Sequence, residues 1–247
     1  MSNQEMVHLR ILRQDAEGAP RRWERFKVPY QPYMNVLSCL MEIQKNPVDA
    51  DGRKVAPVAW DSACLEEVCG SCTMIINGQV RQGCSAMVDQ LAQPIELRPM
   101  SKFPVIRDLR VDRSRIFADF RRVRAWVDID GTYDVGPGPR YSAEVAEVRY
   151  ALSRCMACGC CLEVCPNYGP QSPFIGPAAI NQARLFNLHP SGGMHAGERL
   201  DVLMEEGGLA DCGNAQNCVQ ACPHKIPLTT SLAEMMRAAT RRALFER

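Results

Sequence analysis

Thirteen cysteines in 247 residues, most of them clumped, constrain this chain more than any other feature it has. Their number is odd, and most lie only a few residues from a neighbour. Thiols so arranged suit metal ligation better than disulfide bridging. The opening residues Met1-Ser2-Asn3-Gln4-Glu5 carry neither a basic nor an apolar region, so no secretory signal is expected, and with it goes the compartment that a disulfide framework needs. The 29 basic and 28 acidic side chains nearly balance, which gives no reason to expect nucleic acid as a partner. No run of about 18 apolar residues occurs, so no membrane span is expected.

The first group is Cys64, Cys69, Cys72 and, further on, Cys84. Four residues separate the first pair and two the second, which is the plant-type ferredoxin spacing for a 2Fe–2S cluster. A tight loop wraps three thiolates and a hairpin returns the fourth. Gly70, between Cys69 and Cys72, lets the backbone approach the sulfides closely, and amide groups there can hydrogen-bond to sulfur and tune its potential. A structural zinc site of four cysteines is the alternative.

The second group, Cys155, Cys158, Cys161 and Cys165-Pro166, has the bacterial ferredoxin spacing. In two-cluster ferredoxins the fourth cysteine of such a run serves the other cluster. Cys212, Cys218 and Cys222-Pro223 supply the partner run, with Ala215 where the middle cysteine would stand. Cys155, Cys158 and Cys161 with Cys222 crossing over make four ligands for a 4Fe–4S cluster. Cys212 and Cys218 with Cys165 crossing over make three. Alanine cannot bind iron, so the expectation is a 3Fe–4S cluster, the alternative being a fourth iron held by water. Cys39 lies on an apolar helical segment and reads as a small core residue. Cys160 sits between two ligands and fits the run less well than Cys161.

Around these groups the pattern predicts an α+β chain. Val7, Leu9 and Ile11 alternate, and Trp23 to Val28 follows less regularly, which predicts a hairpin. Asn35 is placed to cap a helix through Val36, Leu37, Leu40, Met41 and Ile43. Asn77-Gly78 between Thr73–Ile76 and Gln79–Cys84 predicts a second hairpin with a type I′ turn, and Ile95 to Leu97 a further strand. From Asp112 the period becomes helical: Ile116, Phe120 and Val123; Val145, Val148 and Leu152; Ile180 to Phe186; Leu200 to Met204, ended by Gly207-Gly208. Ser231 and Glu234 predict a capping box at the start of the last helix. The domains expected are 1–108, a small sheet crossed by a helix, and 109–247, all helical.

The order of plant-type loop, full bacterial run and defective bacterial run resembles the iron–sulfur subunit of succinate dehydrogenase and quinol:fumarate reductase. Cys64-Leu65-Glu66-Glu67-Val68-Cys69-Gly70-Ser71-Cys72 looks like its first motif, and Pro104-Val105-Ile106-Arg107-Asp108-Leu109 like its inter-domain segment. Phe174-Ile175-Gly176-Pro177 and Asn217-Cys218-Val219-Gln220-Ala221-Cys222-Pro223 resemble the later ones. The resemblance covers nearly the whole chain. It implies a plant-type (β-grasp) ferredoxin domain followed by a helical bacterial-type ferredoxin domain. It also implies a flavoprotein partner with covalent FAD that oxidises succinate to fumarate, and a membrane anchor with haem b that binds quinone. This chain would relay electrons between them in the tricarboxylic acid cycle and respiratory chain, or run the other way as a fumarate reductase. The expected location is peripheral, on the cytoplasmic face of the bacterial inner membrane.

One departure is informative. Ubiquinone-reducing members carry a tryptophan shortly after the Cys-Pro of the full run and a histidine after the first cysteine of the third group. Here the first stretch is Pro166-Asn167-Tyr168-Gly169-Pro170 and Gly213 follows Cys212. The resemblance is therefore closest to the menaquinone-linked branch, whose single-chain anchor carries two haems b. The chain shows no paired carboxylates, nucleophile elbow or phosphate loop, so catalytic residues for the substrate are expected on another chain. Arg107, Arg110, Arg113, Arg115, Arg121, Arg122 and Arg124 are read as a solvated face rather than a flavoprotein dock. His224, after Cys222-Pro223, is placed to tune a cluster by hydrogen bonding.

Overall fold

The structure is a computed structural model that describes residues 6–128 and 140–245. The five N-terminal residues read for a leader lie outside them. The chain divides into two compact units, Met1–Arg113 and Ser114–Arg247.

In the first unit β1 (Met6–Arg13) and β2 (Arg22–Pro29) pair antiparallel, with Leu9 opposite Phe26. Alternation decides which face is buried: Val7, Leu9, Ile11, Phe26 and Val28 all turn into the core, and each such side chain contributes roughly 1.5–3 kcal/mol on leaving water. Helix α1 (Val36–Lys45) begins at Asn35, whose side chain accepts from the Ser38 amide while the Ser38 hydroxyl accepts from the Asn35 amide. Its buried side, Val36, Leu37, Cys39, Leu40 and Ile43, packs into the core against the sheet. Cys39 is thus a core residue, as its setting predicts, and burial pushes its thiol up to about 12. β3 (Thr73–Ile76) and β4 (Gln79–Gln82) form the second hairpin. Asn77 and Gly78 both have positive φ, as a type I′ turn requires. With β5 (Ile95–Arg98) the sheet order is β2-β1-β5-β3-β4, β1 and β5 running parallel.

The division falls at 113/114, a few residues beyond the seam read from the sequence. Two short strands, β6 (Val105–Arg107) and β7 (Arg110–Val111), pair with each other. Between them Asp108, fully buried, accepts from Arg13 Nε at 2.8 Å, from the Gln14 amide at 3.2 Å and from the Ala59 amide at 2.9 Å. Arg13 is also fully buried and bonds Glu24 and the carbonyls of Ala56 and Pro57. A stretch that reads as a connector is therefore tied to the first strand of the unit.

The second unit is helical. Its elements are α2 (Ser114–Arg122), α3 (Ala143–Ser153), α4 (Cys160–Glu163), α5 (Gly176–Asn187), α6 (Ala196–Met204), α7 (Asn217–Ala221) and α8 (Leu228–Phe245). Helix α5 lies at the centre, buried continuously from Gly176 to Ala183. Polar side chains fix its neighbours: Asn181 Nδ2 donates to the Leu152 carbonyl at 3.2 Å, and Ser231 Oγ donates to Asn181 Oδ1 at 3.2 Å. Ser231 is consequently not an N-cap. The last helix starts at Leu228, just after Pro227, and Ser231 lies fully buried one turn inside it.

The arginine run is not simply a solvated face. Arg113 donates to the Gly70 carbonyl, and Arg115 to the carbonyls of Gly169, Ser172 and Phe174 while stacking over the Tyr168 ring. Arg122 bonds the Glu206 carbonyl, and Arg124 pairs with Glu198 and Asp128. A guanidinium has five donors in a planar fork and can satisfy loop carbonyls that no ladder pairs. Among the described residues no helix is long and apolar enough to cross a membrane.

Candidate cluster-binding sites

The first group closes around one loop. Cys72 begins just before β3 and Cys84 follows β4, and their sulfurs lie 3.4 Å apart. Asn35, the cap of α1, donates to the Cys84 carbonyl at 3.0 Å, so the helix start also positions a thiol. Between Cys64 and Cys72 the backbone turns left-handed at Leu65, Glu67 and Gly70. For leucine and glutamate that conformation costs about 1–2 kcal/mol each. It turns amides toward sulfur: Cys64 Sγ accepts from the amides of Glu66, Val68 and Cys69, and Cys84 Sγ from that of Glu67. Cys69 Sγ accepts from the amides of Cys64 and Ser71. Burial pushes the Cys69 thiol up, but donation from Ser71 and Cys64 outweighs it and brings the thiol down to about 6. Cys72 is deeper, and burial pushes it up to about 12.

The second and third groups share their thiols between two pockets. Cys155, Cys158, Cys161 and Cys222 line one, together with Cys160, Pro223 and His224. Cys165, Cys212 and Cys218 line the other, with Ala215, Pro166, Asn167 and Gly213. Cys222 has thus left its own run for the first pocket, and Cys165 has left its run for the second. Within each pocket the neighbouring thiols raise one another, and Cys218 of the second also raises Cys161 of the first. Burial raises Cys222, and Cys158 raises it further; burial raises Cys218, and Cys165 and Cys212 add to that. Cys161 is raised well above its ordinary value by burial first, then by Cys158, Cys155 and Cys222. A buried thiolate needs a compensating cation, so a metal held by these thiols would displace their protons.

The two loops are built alike. Ala157 and Gly159 are left-handed around Cys158, and Gly159 opens α4; Asn214 and Gln216 are left-handed around Ala215, and Gln216 opens α7. The backbone at Ala215 therefore repeats the backbone at Cys158. The Ile226 amide donates to Cys222 Sγ at 3.4 Å, and backbone donation works against the burial that raises Cys155 and Cys222. The ring Nδ1 of His224 lies 3.2 Å from Arg154 Nη2. The thiols, the inward amides and the left-handed turns fit iron–sulfur clusters.

These features define an electron-transfer protein made of two iron–sulfur domains. Residues 8–118 match the family described as a 2Fe-2S iron-sulfur cluster binding domain, and residues 151–226 the 4Fe-4S dicluster domain. The chain is 57% identical over 237 residues to the succinate dehydrogenase iron-sulfur subunit of Bacillus subtilis, covering 96% of this chain and 94% of that protein. The fumarate reductase iron-sulfur subunit of Wolinella succinogenes is 27% identical, over 94% and 96%. A chain of the Mycobacterium smegmatis Sdh1 complex in the apo form shares the fold, with a TM-score of 0.80 at 24% identity over 97% of both chains. The chain belongs to the iron–sulfur subunits of succinate dehydrogenase, related more distantly to those of fumarate reductase, and is an electron relay within that oxidoreductase.

Proposed function

We propose that eleven of the cysteines hold three clusters. Cys64, Cys69, Cys72 and Cys84 take a 2Fe–2S cluster, and Cys155, Cys158, Cys161 and Cys222 a 4Fe–4S cluster. Cys165, Cys212 and Cys218 take a 3Fe–4S cluster whose fourth corner faces Ala215. Bound there, the clusters supply one-electron carriers between the FAD of a flavoprotein subunit and a membrane anchor with haem b, with succinate oxidation as the direction. The protein residues bind the irons through thiolate, aim amides at the sulfurs and exclude water. The observation that carries this reading is the exchange of Cys165 and Cys222 between the two pockets.

The anchor is proposed to carry two haems and to serve menaquinone, with this chain peripheral on the cytoplasmic face of the membrane. The support is local. The stretch Pro166-Asn167-Tyr168-Gly169-Pro170 lacks the tryptophan of ubiquinone-reducing members and Gly213 stands where they carry histidine, and a Cβ on Gly213 would come within 2.9 Å of Asn167 Oδ1. A bulky ring on that backbone would have to displace Asn167.

Electron paramagnetic resonance with iron counting on the anaerobically purified complex tests the ligand sets. About nine irons per chain (two, four and three) are expected, with a 3Fe–4S signal in the oxidised state. About ten irons without that signal would refute the vacant corner, and a colourless zinc protein would refute all three sites. Assays with ubiquinone and menaquinone analogues test the quinone. Efficient ubiquinone reduction, blocked by an inhibitor seated beside the third group, would overturn the menaquinone reading.

A further inference from the structure

Glu67 holds a left-handed backbone, with φ 57°, in the loop between Cys64 and Cys69. There a Cβ crowds the following carbonyl, and only glycine goes unpenalised. In that conformation its amide donates to Cys84 Sγ at 3.3 Å. Strain and hydrogen bond go together, because an ordinary φ at Glu67 would turn the amide away from the sulfur. The side chain is held too. Ser85 Oγ donates to Glu67 Oε1 at 2.7 Å, with the Gln82 carbonyl 3.3 Å from the same hydroxyl. A hydroxyl has one hydrogen, and the nearer, charged acceptor takes it. Ser85 is the fixed end of this bond. The Cys84 carbonyl before it accepts from Asn35 Nδ2 at 3.0 Å, and the Ala86 carbonyl after it from the Val36 amide at 3.0 Å. Its own carbonyl accepts from Arg81 Nη2 at 3.1 Å. The start of α1 and the strand β4 thus pin the segment, and the strained loop leans on it.

We propose that Ser85 is a positioning residue that raises the reduction potential of the 2Fe–2S cluster: its hydroxyl latches the Glu67 carboxylate and so keeps the Glu67 amide on Cys84 Sγ. The inference rests on Cys84 being a 2Fe–2S ligand. The sign follows from charge. Reduction makes the cluster and its thiolates more negative, and a donor to sulfur stabilises that state more than the oxidised one. The effect passes through the backbone of another residue, so it vanishes where that backbone needs no latch.

The test is a redox titration of the whole membrane complex, read on the paramagnetic signal of the reduced 2Fe–2S cluster, with Ser85→Ala, Glu67→Gly and the two combined. Alanine removes the donor. Glycine adopts the left-handed φ freely and keeps the amide on sulfur with no carboxylate to latch. Ser85→Ala should shift the equilibrium for reducing the 2Fe–2S cluster ~3- to 10-fold toward the oxidised form, the larger figure being a fall of 59 mV. The other two midpoints should hold. In the Glu67→Gly background the same substitution should move nothing, whatever Glu67→Gly itself has done by removing a charge. A 2Fe–2S midpoint that Ser85→Ala leaves unmoved, or lowers equally in both backgrounds, overturns the latch and leaves the ligand sets standing. If Ser85→Ala loses the cluster outright, restoration by Glu67→Gly bears the latch out, and a loss that glycine does not restore overturns it. Cys84→Ala tests the premise separately: a 2Fe–2S signal unaltered by that change overturns the ligand set, and the latch with it.

Discussion

Replacing Ala215 by cysteine asks whether the third pocket lacks a ligand or lacks room for one. Three thiols and Ala215 line that pocket. The backbone on both sides of Ala215 is left-handed, at Asn214 with φ 52° and Gln216 with φ 61°, as it is after Cys155 and Cys158 at Ala157 with φ 53° and Gly159 with φ 88°. The main chain therefore already has the shape that presents a ligand, and Ala215→Cys adds a sulfur without asking the loop to move. The pocket then has four thiols where it had three. Iron should rise from about nine to about ten per chain, and the oxidised-state 3Fe–4S signal should disappear. The added thiolate also favours the oxidised state electrostatically, so the midpoint of this cluster should fall. Each 59 mV of that fall makes the one-electron step onto it tenfold less favourable, and quinone-linked turnover should slow while reduction of soluble dyes by the flavoprotein does not. Ala215→Val, with no ligand atom, should leave the count at about nine. The assays are iron and acid-labile sulfide on the purified complex, with resonance spectra of the oxidised state. An Ala215→Cys complex that keeps nine irons and its 3Fe–4S signal would show that position 215 does not face the vacant corner, and the pairing of the two loops would be wrong.

Five further substitutions probe the frame around the sites. Asp108→Ala leaves Arg13 Nε and the amides of Gln14 and Ala59 without their acceptor; breaking a buried ion pair costs about 3–5 kcal/mol. The 2Fe–2S absorbance should bleach much faster on warming, while Asp108→Asn, which keeps an acceptor and tolerates the φ of 49°, should lose less; equal half-lives for all three proteins would refute it. At Gly176, with φ +82°, an added Cβ would lie 2.3 Å from Leu162 Cδ2, beside Cys161. Gly176→Ala should lower 4Fe–4S content, whereas Gly169→Ala, which meets nothing within 4 Å, should not. Asp119 is raised from 3.8 to about 6 because burial outweighs its pairing with Arg115 and Arg122. The folded state therefore prefers the protonated acid, and stability is lost as pH rises from 3.8 through about 6. Asp119→Asn should stabilise the complex above pH 6 by at most about 3 kcal/mol at 1.36 kcal/mol per pKa unit, less after solvent screening. The gain should roughly halve by pH 5 in thermal inactivation; an equal gain at pH 5 and pH 8 would mean that titration is not its cause.

What was legible in the sequence, and what was not, divides by chemistry. Alternation in Val7, Leu9 and Ile11, the cap at Asn35 and the turn at Asn77-Gly78 are local devices, and each forms as its residues predict. The grouping of the cysteines was legible for a related reason: their spacing alone sorts them into the sets that share each pocket. The hairpin around Asp108 was hidden, because strands of three and two residues have no period of their own. They are held by an ion pair between residues 13 and 108, far apart in sequence. Ser231 misled because a capping sequence names a helix start only where no earlier start competes, and Pro227 supplied one. The arginine run misled because charge patterning cannot see the carbonyls of distant loops. The donors to sulfur were hardest of all. Any residue but proline can point an amide at a thiolate, and what selects it is a left-handed φ. The chain places that φ on leucine, glutamate, alanine, asparagine, glutamine and lysine, at Leu65, Glu67, Ala157, Asn214, Gln216 and Lys225, as well as on glycine. Propensity argues against most of these positions. The loops adopt them because the thiols on either side must converge, so backbone strain that runs against local preference gathers in these loops, whereas at Asn77 the same φ falls where the turn predicts it. Departure from propensity beside a cysteine is therefore itself a marker of these sites, and it becomes readable only once the φ angles are known.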